Sequence, residues 1–366
     1  MWRTLQLLVA LALAIPTTTS TSTPTALQAP QSEQIGTEES VSVHVGGKTR
    51  TTTIDRAGSG YVKVHFTDVR LMKGDVLTVS NPAGTESYTY TRDLKSSLTA
   101  TIDETGFWAM SITGSTAVIT VKSMFSRVRA DKITRGFTDA EFAARPSTQS
   151  ICGTNDYKDA TCYQTSNPTE FKRSGAVAKL LRNGSSLCTS WRVGPNNRML
   201  TNNHCFTSTT GIEVWFNYQC PTCGGTTSAP VTKVLAASVL KTDRPLDYTL
   251  FTVNNFTAIS SFGYLELDAR VPAVGERMYV VGHPAGKLKK ISLKDGTANC
   301  VVRAVKVNGN VAQSDISYMC DTEGGSSGSP VLSGVSHKVI GLHHFGGCPN
   351  QGVRIDLVAA QIGSLL

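Results

Sequence analysis

The chain has 366 residues, 40% hydrophobic and 17% charged, which is enough apolar material for real cores and excludes a wholly disordered or acidic-tail protein. Its 32 glycines and 14 prolines follow no triplet period, so collagen-like and low-complexity readings fall. The 35 Lys+Arg against 27 Asp+Glu leave a charge of +8, a modest excess that reads as solubility rather than nucleic-acid binding.

Residues 1–20 read as a signal peptide. Arg3 precedes the apolar run Leu5 to Ala14, and Ala12-Leu13-Ala14 offers a small-x-small cleavage site, with later candidates up to Ala29. That run is too short to cross a bilayer, which takes about 20 apolar residues. Secretion to the extracellular space is therefore expected, with no membrane span. A Ser/Thr/Pro-rich segment, 21–35, follows.

Residues 36–123 contain no cysteine and read as short strands: Val41 to Val45, Tyr61 to Phe66, Val76 to Val79, Tyr88 to Tyr90 and Ala117 to Val121. Turn signals at Gly46-Gly47, Gly74-Asp75 and Asn81-Pro82 separate them, the pattern of a small β-sandwich or a folded propeptide. Residues 124–150 read as a basic connector, with Arg127, Arg129, Lys132, Arg135 and Arg145 and one helical turn over Asp139 to Ala144. Such a connector is a natural site for a maturation cut.

From Ile151 onward the pattern is all-β again, as in Ile212 to Phe216, Tyr248 to Val253, Met278 to Val281 and Val339 to Leu342. All nine cysteines lie here, and in an oxidising compartment they allow four disulfides and one odd thiol. Cys220-Pro-Thr-Cys223 looks like half a zinc site, but no second pair follows it, so no metal is expected. Asn183 and Asn255 head glycosylation sequons.

Gly324 to Val331 carries the chemistry. A serine nucleophile needs a sharp turn, which glycines on both sides of Ser327 permit. The N–H groups of Gly325 and Ser327 would then form an oxyanion hole. His204 precedes Cys205, and Asp247 opens an apolar strand; the order His204, Asp247, Ser327 is that of one known triad arrangement. Asp243 is the nearest competitor for the acid role.

On Asn203-His204-Cys205, Asp247-Tyr-Thr-Leu250 and Gly325 to Pro330, residues 151–366 resemble the chymotrypsin-fold serine proteases. The resemblance is closer to the secreted lysyl and glutamyl endopeptidases, because Ser326 stands where trypsin-like zymogens carry an activating aspartate. It implies two six-stranded antiparallel β-barrels and hydrolysis of polypeptides through an acyl-enzyme, without a cofactor. A monomer is expected. The lysyl group's pairings would carry over as Cys188–Cys205, Cys152–Cys348 and Cys162–Cys223, with Cys300–Cys320 added. Cys220 would be left over, unless it replaces Cys223.

For specificity, Asp321 lies where trypsin-like enzymes place the acid that binds Lys or Arg, and the resemblance leans towards basic residues on the acyl side. The lysyl group's specificity aspartate corresponds to Asn350. A histidine matching His343 contacts the substrate carboxylate in the glutamyl group and occurs in the lysyl group too. The alternatives are an inactive homologue that binds or inhibits a target, and an adhesin dominated by its N-terminal part.

Overall fold

The computed structural model describes residues 32–145 and 149–366. The expected signal peptide lies outside the described residues, as does the Ser/Thr/Pro-rich stretch up to residue 31. Among the described residues no helix is long and apolar enough to cross a membrane.

The N-terminal part runs through β1 (Glu33–Gln34), β2 (Gly36–Gly46), β3 (Thr51–Asp55), β4 (Tyr61–Arg70), β5 (Leu77–Ser80), β6 (Ser87–Tyr90), β7 (Thr116–Val121) and β8 (Arg127–Gly136). Strands β3-β7-β5-β6 form one antiparallel sheet and β2-β8-β4, with short pairs beyond β4, the other. Alternation drives both: Ala117, Ile119 and Val121 of β7 point inward, where they share one apolar core with Val62, Val64 and Phe66 of β4.

The expected connector is mostly not a connector. Residues 127–136 are β8, paired on both edges between β2 and β4. Its Val128, Ala130 and Ile133 are buried while Arg127 and Arg129 are exposed, so the basic residues are the outer half of a period-2 strand. The helical turn forms as α1 (Asp139–Ala143), closed by a capping box between Thr138 and Glu141. Residues 33–35 are also structured: β1 pairs with Leu187 and Ser186, and Ile35 is buried.

The first barrel consists of β9 (Val177–Arg182), β10 (Ser186–Arg192), β11 (Met199–Thr201), β12 (Ile212–Phe216), β13 (Thr232–Asp243) and β14 (Tyr248–Val253). Its order β10-β9-β12-β13-β14-β11 closes because β11 pairs back onto β10. The second unit has β15 (Met278–Gly282), β16 (Lys290–Ser292), β17 (Val302–Val307), β18 (Asp315–Tyr318), β19 (Pro330–Ser333), β20 (Val339–Phe345) and β21 (Asn350–Arg354). Their order is β16-β15-β19-β20-β21-β18-β17.

The second barrel is not closed by a strand ladder as expected. Two register shifts splay β17, and one bridge, Arg277 to Val301, spans the gap. Between the two units Trp191, Leu200 and Leu250 meet Tyr279, Leu332 and Leu342, and α2 (Ile355–Ile362) inserts Ile355, Val358 and Ile362.

Strand β12 explains how the N-terminal part is attached. Ile212, Val214 and Phe216 fill the first barrel, while Glu213 and Trp215 point out and are nevertheless buried. The N-terminal sheets cover them. Lys63 of β4 pairs with Glu213, Ser111 donates to Glu213 through N and Oγ, and Lys233 meets Glu86 at 2.5 Å. Tyr61 stacks edge-on against Trp215 and donates to Gly184 O at 2.6 Å. Lys179 sits in this seam against the rings of Tyr61, Trp215 and Tyr218, where burial pulls its pKa down to about 7.

Separating the parts would therefore expose apolar rings and break buried ion pairs together. Cleavage after Arg145 is expected to leave both pieces in one non-covalent complex. Co-elution on gel filtration under native conditions checks this; a freed N-terminal fragment would refute it.

Candidate active site

His204 sits on the turn that leaves β11, tied to β10 by the Cys188–Cys205 disulfide. Asp247 ends the turn before β14 with a left-handed φ of 51°, a conformation Asp tolerates better than most residues. Its Oδ2 lies 2.8 Å from His204 Nδ1, and its Oδ1 accepts the His204 backbone N–H at 3.0 Å. Asn202 donates to Asp247 O at 2.8 Å and fixes the turn from the other side. Burial pushes the Asp247 pKa up, but the hydrogen bonds from His204 and His344 outweigh it and hold the group at about 2. Asp243, the competing acid, instead caps this turn by accepting from Leu246 N at 2.7 Å.

Ser327 is 8% exposed, on a loop whose backbone only glycine permits. Gly325 has φ 93°, and a Cβ there would fall 2.3 Å from Leu187 Cδ2; Gly328 has φ 85°, and a Cβ would fall 2.1 Å from Thr189 O. Thr189 of β10 anchors the loop, donating from N to Ser327 O at 2.8 Å and from Oγ1 to Gly325 O at 3.0 Å. Its neighbour Cys188 has its Sγ within 4.8 Å of a His204 ring nitrogen, which brings the serine loop and the histidine to one place. His204 Nε2 has no hydrogen-bond partner. Among the described residues, the amides of Gly325 and Ser327 donate to no protein group. Ser326 closes its own turn on Glu323.

The specificity candidates are occupied differently from expectation. Asp321 is buried, and both oxygens accept backbone amides, from Cys152 at 2.9 Å and Asp156 at 2.6 Å. It fixes the 152–156 segment beside the Cys152–Cys348 disulfide. Asn350 is saturated too, donating to Ser150 O and Cys320 O and accepting from Thr322 Oγ1. His343 is buried with Nδ1 at 2.7 Å from Tyr318 Oη, and burial pushes its pKa down to about 3, leaving it neutral.

The disulfides are Cys152–Cys348, Cys162–Cys223, Cys188–Cys205 and Cys300–Cys320, leaving Cys220 as a buried thiol. With Cys223 paired, the half zinc site has no second thiolate to offer. Cys188, His204 and Cys205 also cluster, but there the two sulfurs are bonded to each other. Asn183 and Asn255 are both exposed on left-handed turns.

His344 follows His343 on β20. The structure places it fully buried, with Nδ1 3.3 Å from Asp247 Oδ2 and Nε2 2.6 Å from Asp315 Oδ2. The one signal for it was the His-His doublet ahead of Phe345; Asp315 carried none.

A family model described as a trypsin-like peptidase domain matches residues 188–342. The chain is 34% identical over 219 residues to the secreted RxLR effector protein 73 of Plasmopara viticola, across 57% of this chain and 54% of that protein. It is 31% identical over 170 residues to the uncharacterized protein y4fB of Sinorhizobium fredii, across 43% of this chain and 25% of that protein. The chain thus spans about half the length of the first relative and a quarter of the second. Among solved structures, the inactive form of the Rv3671c protease from M. tuberculosis aligns with a TM-score of 0.42 at 18% identity, over 55% of this chain and 94% of that one.

Proposed function

We propose that the chain is a secreted serine endopeptidase. The observation that carries this reading is the buried Asp247 bonded to His204, beside a glycine-framed Ser327 loop with two unengaged amides. In this mechanism His204 Nε2 takes the Ser327 proton as Oγ attacks the scissile carbonyl. The Gly325 and Ser327 amides receive the oxyanion, and Asp247 orients His204 and stabilises its charged form. His204 then returns the proton to the leaving amine, and water repeats the sequence on the acyl-enzyme.

The trypsin-like match supports the class. The apolar leader and the word "secreted" in the Plasmopara relative's name support the compartment. The kinship to lysyl and glutamyl endopeptidases rests on the motifs around Ser326 and His343. The N-terminal sheets act in this reading as a β-sandwich accessory domain that stays docked after any maturation cut. A fluorophosphonate probe is expected to label the full chain at Ser327, read by peptide mapping. An inactive homologue or an adhesin would stay unlabelled.

A further inference from the structure

His344 of β20 lies between two carboxylates in a fully buried site. Each ring nitrogen faces an ionisable oxygen, Asp247 Oδ2 at 3.3 Å and Asp315 Oδ2 at 2.6 Å. Imidazole donates from both nitrogens only when protonated, so the geometry fits a cation between two anions. Asp315 is itself fixed: Ser314 Oγ donates to its Oδ1 at 2.6 Å, and the Gln351 amide, with its nitrogen turned inward, reaches Oδ2 at 3.2 Å. The Phe345 ring centroid lies 4.2 Å from that of His344. The other charged or titratable neighbours are His204, beyond Asp247, and His343 on the same strand, which bonds to Tyr318.

We infer that His344 is a positioning residue for the Asp247–His204 pair, holding the Asp247 carboxylate from behind and cancelling part of its charge across the bridge to Asp315. The inference rests on the reading of Ser327, His204 and Asp247 as a triad. Two effects follow. The Asp247 oxygen aimed at His204 gains a further fixed partner, beside the His204 backbone N–H that already holds Oδ1. The positive charge also offsets part of the negative charge that Asp247 presents to His204. Burial opposes a charge on His344, but the bonds to Asp247 and Asp315 overcome it and raise its pKa to about 9, so the bridge stands throughout the neutral range.

The test is the pH dependence of the fluorophosphonate labelling rate at Ser327, which reads nucleophile and base without a chosen substrate. Three full-length proteins are compared: wild type, His344→Gln, and His344→Gln with Asp315→Asn. The single variant is expected to label about 10–100-fold slower at neutral pH, with its acid limb moved up by on the order of one pH unit. The double variant removes the positive charge near Asp247 and a negative charge farther off, so its limb should move up less. It leaves no unpaired buried carboxylate and keeps the test open if the single variant does not fold.

A merely structural His344 would lower the melting temperature and leave the acid limb in place. Unmoved limbs in the folded variants, with wild type labelled, would overturn this inference alone. An unlabelled wild type would overturn the triad reading and this inference with it.

Discussion

Replacing Ser327 by alanine is expected to reduce peptide hydrolysis by on the order of 10⁴–10⁶-fold while leaving the fold unchanged. In the proposed mechanism the hydroxyl oxygen of Ser327 forms the acyl bond. The loop itself is held by backbone groups: Ser327 O, Gly325 O and Gly328 N are bonded to Thr189 and His343. A melting temperature close to wild type, with loss of both hydrolysis and probe labelling, is the predicted result. Residual catalysis would come from the Gly325 and Ser327 amides and from binding. Retained hydrolysis in a sample free of contaminating protease would remove Ser327 as nucleophile.

The largest stability effect is expected at the seam. Lys63→Met leaves Glu213 buried next to Trp215 without its closest cation, while the Trp215 Nε1 bond at 2.8 Å and the Ser111 bonds remain. Stranding a buried charge of this kind costs about 3–5 kcal/mol. For a chain of this size that corresponds to a fall in melting temperature of roughly 4–7 °C. Adding Glu213→Gln should recover part of the loss, because the remaining group is neutral and its carbonyl oxygen still accepts from Ser111, while its amide nitrogen faces the Trp215 Nε1–H. Thermal unfolding of the three proteins checks both parts. A single variant that melts with wild type would mean that the N-terminal part and the barrel are not energetically joined through this pair.

The proposed nucleophile was legible in the sequence because such chemistry leaves local marks. Attack from a tight turn demands Gly325 and Gly328 at fixed offsets, and here a histidine and an aspartate precede it on turns of apolar strands. The same locality made the alternating strands from Val41 to Val121 readable. It failed at residues 127–136, where clustered basic residues hid the inward alternation of Val128, Ala130 and Ile133. Arg135, read as connector charge, pairs with Glu39 and Glu141 at 2.5 and 2.7 Å.

Asp321 shows the opposite failure. Its offset of six residues from Ser327 is a property of the chain, but whether its oxygens are free depends on where residues 152–156 lie, and those are 165–169 residues away in sequence. The His344 bridge is of the same kind. Asp247, Asp315 and His344 come from three separate strands or turns, and no spacing relates them. The sequence by itself marked the proposed constellation and determined the all-β periodicity, since both leave their signal along a few residues. Only the tertiary structure decided which carboxylates are consumed, how the second barrel stays open and that the N-terminal sheets are docked through buried charges. Those outcomes depend on desolvation, which exists only once distant segments have excluded water from between them.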